Sequence, residues 1–253
     1  VARAKQIVVV GDQKQLPPTS FFDRLTDDAP EDSSGEDEDG GAPQAAKATE
    51  MESILTLCEA RGLGSRMLEW HYRSRDPSLI RVSNAEFYED RLVLPPSPLQ
   101  LDKDYGLSFR RVPGAYSSKS RGGGRPGTNQ TEAEAIAKMI AAHARDWPEL
   151  SLGVVAFSKA QSDMLSEVIE VARRRDAVLN SFLREGKTEN FFVKNIENVQ
   201  GDERDVIFVS VGYGPHEPGG RLASMNFGPV NGEGGERRLN VLFSRARVRC
   251  VAV

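Results

Sequence analysis

Short β-branched runs alternate with stretches of helical periodicity along most of this sequence, and that alternation restricts the fold more than any other feature. Strand-like runs fall at residues 7–10, 67–68, 107–112, 152–157, 191–193, 206–211 and 248–253. The first of these is predicted to be a buried strand that delivers the Gly11-Asp12 loop at its carboxyl end. Between them, Met51, Ile54, Leu55 and Cys58 recur at helical spacing ahead of Gly62 and Gly64. Residues 77–88 read as a helix with Leu79, Ile80, Val82, Ser83 and Phe87 facing inward. Thr131 and Glu134 have the spacing of a capping box for a helix carrying Ile136, Met139 and Ile140 on one face. Ser158 is placed to cap the next, with Met164, Leu165, Val168 and Ile169 inward, and residues 236–246 read as the last helix. The expected fold is α/β, a mostly parallel sheet with helices on both faces.

One segment breaks the alternation. Asp27, Asp28, Glu31, Asp32, Glu36, Asp37, Glu38 and Asp39 are separated only by small residues and proline, too little apolar surface to offset the entropy of ordering. Residues 26–50 are therefore expected to be an acidic flexible linker or loop between residues 1–25 and a larger domain at 51–253. The tract also explains the net charge of -4 in 253 residues. Elsewhere Arg110-Arg111, Arg173-Arg174-Arg175 and Arg237-Arg238 supply basic groups. No capping element precedes residue 7, so the chain is expected to be cut from a longer one.

Cys58 and Cys250 share no metal-ligand spacing with His71, His143 or His216, so neither a disulfide framework nor a metal site is expected. No apolar run nears the roughly 20 residues of a membrane span and no signal peptide opens the chain, so the expectation is a cytoplasmic protein without a membrane partner.

Four polar segments carry the chemistry. Gln15, in the loop after the first run, can hydrogen-bond a phosphate oxygen or a water without bringing charge. Tyr72 and Arg73 put an aromatic ring beside a planar fork suited to phosphate. Residues 197–205 set Asn198, Gly201 and Glu203 ahead of a very apolar strand, where a carboxylate can bind ribose or orient an arginine. Arg238 and Arg245 are seven residues apart and so expected on one helical face, from which an arginine can neutralise charge on a transferred phosphoryl group.

These segments stand in one fixed order. GDQKQLPP resembles helicase motif III, and LEWHYRSRDPSLIRVSNAEFYEDRL resembles the motif IV region. NQTEAEA and GVVAFSKAQ resemble the pair preceding motif V, ENVQGDERDVIFVSVG resembles motif V, and ERRLNVLFSRAR is similar to motif VI. Together they resemble superfamily 1 helicases of the Upf-like branch, closest to large multidomain bacterial proteins, from about residue 6 to the end.

The resemblance implies a RecA-like P-loop NTPase fold, with residues 1–25 the tail of a first lobe and 51–253 the second. It implies a nucleotide-binding ATP hydrolase that moves on single-stranded DNA or RNA, with ATP and Mg2+ as cofactors of the whole protein. Gln15, Arg73 and Arg245 would be catalytic, the two arginines as arginine fingers. Tyr72, Gly201, Glu203 and Arg238 would bind nucleotide, and Pro17, Ser158, Lys159 and Asn198 would contact nucleic acid. The rival reading is a non-enzymatic nucleic-acid or protein scaffold derived from such a domain.

No G-x-x-x-x-G-K-[ST] loop is present: residues 122–127 have the glycine spacing, but Thr128 stands where lysine belongs. No acidic strand end of the Walker B type precedes residue 7 either. This chain alone is expected to hold no tightly bound cofactor and to turn over no ATP without the first RecA-like lobe, which is its implied partner.

Overall fold

The computed structural model describes residues 5–16, 53–99, 102, 104–118, 124–184, 188–222 and 224–253. The whole acidic tract at 26–50, Pro17 and residues 121–123 lie outside these. The chain divides into two compact units, residues 1–68 and 69–253.

In the first unit, helix α1 (Ile54–Ala60) is capped by Ser53, whose hydroxyl accepts from the Thr56 amide, and it stops at Gly62, whose φ of 71° is open to glycine at little cost. Residues 7–10 are not the expected strand. Val8 and Val10 are 76% and 75% exposed, and no described residue pairs with them; a β-branched run becomes a buried strand only where a sheet receives it. The segment turns at Asp12, which accepts from the Lys14 amide and from Gln15 Nε2 at 2.9 Å each. Gly11 lies close to the Leu55 side chain, and Gln13 donates to Glu59.

The second unit holds helix α2 (Ser78–Phe87), strand β1 (Gly106–Phe109), α3 (Gln130–Asp146), β2 (Leu152–Ala156), α4 (Lys159–Arg173), α5 (Ala177–Phe182), β3 (Phe192–Asn195), β4 (Arg204–Ser210), α6 (Gly235–Phe243) and β5 (Ala246–Ala252), with a 3-10 turn at Gly228–Val230. The sheet has five strands in the order β1-β5-β4-β2-β3, and every pairing is parallel. The chain crosses from β1 through β2 to β3 in one direction and returns through β4 to β5 in the other. Right-handed crossovers then put the two helix groups on opposite faces, consistent with α3, α4 and α5 touching one another and α2 touching α6.

Alternation along the strands feeds both faces. Val154, Val206, Phe208 and Val251 join Ile136, Ile140, Leu165 and Leu179 in one apolar cluster. Val155, Ile207, Val209 and Cys250, next to them in sequence and equally buried, turn to the face of α2 and α6. The Phe192 ring lies so near Gly153 that an added Cβ would meet it at 2.5 Å. Burial pushes the Cys250 thiol up to about 12, and among the described residues no group of His, Cys, Asp and Glu could hold a metal ion. No described helix is long and apolar enough to cross a membrane.

Several local expectations shift. Residues 67–68 form no strand; pairing there is a single bridge between Trp70 and Val93. Val82 is exposed, and Asn84 takes the inward position instead, its side chain bonded to the Leu92 amide and carbonyl. The α3 cap is Asn129 rather than Thr131: its carboxamide accepts from the Glu132 amide at 3.1 Å, and Asn caps as well as Thr does. Residues 177–182, read as no element in sequence, form α5 behind the Asp176 cap. Ser158 caps α4 as expected, accepting from the Gln161 amide at 3.2 Å. Ser158→Ala should cost about 1 kcal/mol and lower the Tm by roughly 2–4 °C in a domain of this size; an unchanged melting curve would mean that water takes the place of the hydroxyl at the Gln161 amide.

Candidate functional site

The amino ends of β4 and β5 gather the charged residues. Arg73 lies in an extended segment pinned on both sides: the His71 amide donates to Val93 O at 3.2 Å and the Arg75 amide to Arg247 O at 2.7 Å. Glu203 precedes β4, in a loop where Gly201 takes φ 85° and the Asp202 amide donates to Val199 O. Arg245 is not on the last helix. Helix α6 ends at Phe243 with Ser244 as its cap, and β5 begins at Ala246. The Arg245 side chain folds back instead, Nε donating to Val241 O at 2.8 Å, where the carbonyl-rich end of α6 favours a cation.

Ser244 joins two of the arginines. Arg73 Nη1 donates to its carbonyl at 3.3 Å and Arg245 Nη2 to its hydroxyl at 2.7 Å. Arg73 also forms an ion pair with Glu203, Nε to Oε2 at 2.8 Å. Arg245 has no such partner: it is 4% exposed, donates only to backbone carbonyls and Ser244, and forms no ion pair among the described residues. Desolvation, and after it the Arg73 charge, bring its pKa down to about 10. The Glu203 and Asp202 carboxylates act on it in the opposite direction without a direct ion pair, and a guanidinium in that position has the donors to take an anion.

Behind this pair sits a network that sequence reasoning passed over. Arg247 is bonded to Glu189, to Asp205 Oδ1 at 3.0 Å and to Ser151 Oγ at 3.2 Å, and reaches Glu203 Oε1 at 3.5 Å. The Arg247 guanidinium holds the Glu189 carboxyl below its usual range, and its own pKa is raised, first by that bond. Burial would raise the Asp205 carboxyl, but bonds from the Ser151 amide and Arg247 bring it below its usual value. The signal in the sequence was a pair of charges at alternate positions, Arg247 and Arg249, in an otherwise apolar last strand.

The other predicted residues are dispersed. Arg238 and Arg245 do not share a helical face, because the helix stops between them; Arg238 instead donates to Pro229 O at 3.1 Å and Glu233 O at 2.6 Å and lies 3.6 Å from Glu197. Tyr72 is 91% exposed. Ser158 and Lys159 follow β2, and Asn198 follows β3, its neighbour in the sheet, so these three lie beyond the carboxyl ends of the strands, the opposite edge from Arg73 and Arg245. Lys159 pairs with Asp163. Gln15 belongs to the first unit.

A sequence model of the AAA domain family matches residues 49–253. The chain is 32% identical over 254 residues to an uncharacterized ATP-dependent helicase, MG140, of Mycoplasma genitalium, and 32% identical over 253 residues to its homolog in Mycoplasma pneumoniae. Each alignment takes in 98% of this chain and 20% of the relative, so the chain spans about a fifth of the length of these curated relatives. Among solved structures, the C-terminal domain of a possible DNA helicase from Lactobacillus plantarum WCFS1 matches with a TM-score of 0.37 and 14% identity over 72% of this chain and 87% of that one, too distant a likeness to build on.

Proposed function

This chain belongs to the AAA domain family, and on that footing we propose that residues 69–253 are the second, RecA-like motor lobe of an ATP-dependent helicase or translocase of superfamily 1, Upf-like branch. The lobe gives Arg73 and Arg245 to the terminal phosphate of ATP as arginine fingers, with Glu203, Gly201 and Tyr72 toward the rest of the nucleotide. Arg238 braces the loop ahead of α6 from a distance. Gln15, in the tail of the first lobe, contacts nucleotide phosphate, and the rest of that lobe supplies the phosphate loop and the Mg2+ ligands that this chain lacks; alone, the chain turns over no ATP. Ser158, Lys159, Asn198 and Pro17 face a single strand of DNA or RNA, and the protein works in the cytoplasm.

The observation that supports this reading is the buried guanidinium of Arg245, which makes no direct ion pair among the described residues and is within reach of the same serine as Arg73. A scaffold has no use for a cation kept there at the expense of its hydration, whereas a site built to neutralise charge on a phosphoryl group does. Inorganic tripolyphosphate added to this chain should shift the Arg73 and Arg245 Nε–H resonances together, in a saturable manner that weakens with salt. Shifts confined to the exposed arginines 173–175, with positions 73 and 245 silent, would remove the phosphate site.

A further inference from the structure

We propose that Arg247 is a positioning residue for this phosphate site, the alternative partner to which Glu203 passes when Arg73 turns toward an anion. The inference rests on the phosphate-site reading above and goes beyond it, because nothing in that reading gives Arg247 a part.

Glu203 is shared. Its Oε2 meets Arg73 Nε at 2.8 Å while its Oε1 lies 3.5 Å from Arg247 Nη1, a contact with room to shorten. The two arginines are not equally free. The side chains of Arg73 and Glu203 are 39% and 38% exposed, and a pair so open to solvent is weak and easily exchanged. Arg247 is fixed independently of Glu203, by Glu189, Asp205 and Ser151, which tie it to the segment before β3 and the starts of β4 and β2. Its backbone carbonyl also receives the Arg75 amide at 2.7 Å, two residues from Arg73, so one residue sets both the backbone course of Arg73 and the fate of its carboxylate.

The consequence is electrostatic. An anion that draws Arg73 away from Glu203 would leave a carboxylate beside the incoming negative charge, a repulsive arrangement that opposes binding. With Arg247 in place the carboxylate keeps a cation, and its charge is drawn toward Asp205 and Glu189 and away from the anion. Without Arg247, Glu203 keeps a direct ion pair with Arg73 alone, Arg245 acting on it only through space, and the anion must compete for Arg73.

The test measures the affinity of this chain for inorganic tripolyphosphate, a probe with no ribose for Glu203 to bind, in a cycle of wild type, Arg247→Met, Glu203→Gln and the double variant. Arg247→Met should weaken binding on the order of fivefold, Glu203→Gln should tighten it, and in the Glu203→Gln background Arg247→Met should change affinity by less than about twofold. Equal losses in both backgrounds would mean that Arg247 only adds positive charge, and no loss in either would leave it a tie between strands; each overturns the proposal. Should Arg247→Met fail to fold, Arg247→Lys enters the same cycle: it keeps the charge but cannot span Glu203 and Asp205 with one planar fork, so a loss that disappears with Glu203→Gln is again expected. Arg73→Ala is the control: if it binds tripolyphosphate as tightly as wild type, the phosphate site itself is wrong and the role of Arg247 falls with it, whereas a normal loss at Arg73 with no coupling at Arg247 removes this inference alone.

Discussion

Arg245→Met in the full-length protein is expected to lower ATP turnover on the order of 10³-fold, while the same substitution in this chain leaves the fold about as stable as before. The two outcomes share a cause. Burial and the neighbouring Arg73 move the Arg245 pKa from 12.5 to about 10, a displacement worth about 3 kcal/mol against the charged form. Methionine fills the space of the stem without the charge, at the loss of hydrogen bonds to Val241 O, Asp202 O and Ser244 Oγ. Replacement of buried ionic groups by well-packed apolar residues of similar volume is often neutral or favourable, and here that gain is set against the hydrogen bonds lost and the pull of Glu203 and Asp202, so the Tm should hold within a few degrees. A steady-state ATPase assay and a melting curve settle the matter. Wild-type turnover sinks the arginine finger, and a Tm several degrees lower with turnover retained makes Arg245 a brace for α6 rather than a functional group.

The second large effect belongs to Glu132, buried at the carboxyl ends of β2 and β4, near where the chain reverses its direction across the sheet. Its carboxylate accepts from Ser210 Oγ at 2.6 Å and from the Gly212 amide at 2.9 Å, with Asn129 Nδ2 at 3.4 Å, and it forms no ion pair among the described residues. Desolvation outweighs these bonds and raises its pKa from 4.5 to about 7. Below about 4.5 the group is protonated folded or unfolded and contributes nothing to the pH dependence. As pH rises from there to 7 the unfolded chain releases its proton first, so stability falls, by about 3 kcal/mol once both forms are ionised. Urea unfolding of wild type against Glu132→Gln between pH 5 and 8 isolates the effect from other groups, among them His71, whose lowered pKa acts with the opposite sign. The difference in stability between the two proteins should change by about 2.5 kcal/mol across that range, the first part of the loss lying below pH 5. Parallel curves would mean that water or a cation reaches the carboxylate in solution.

Glu132 also marks the limit of reading the sequence. On the period of α3 it lies near Ile136 and Met139, and an acid in a first helical turn is by itself an ordinary, solvated feature. Only the fold brings Ser210 and Gly212, some eighty positions on, against it. Local signals did better where physics is local: Ser158 capped its helix and the apolar periods of α3 and α4 faced the core, because a cap or a buried stripe is decided within a turn or two of chain. They failed at residues 7–10, where a β-branched run met no sheet, and at 236–246, where helical spacing continued past the point at which Ser244 ends the helix.

What the sequence by itself determined is the α/β alternation, the order of the polar loops and the residue types able to meet a phosphate, since all three are properties of short stretches. What tertiary structure alone decided is that Glu203, Arg245 and Arg247 share one end of the sheet with Arg73, more than a hundred residues before them, and that Arg245 is stripped of water there while Arg73 is not. Burial and the distance between charges depend on which strands become neighbours, and a parallel sheet makes neighbours of strands that the chain itself keeps far apart.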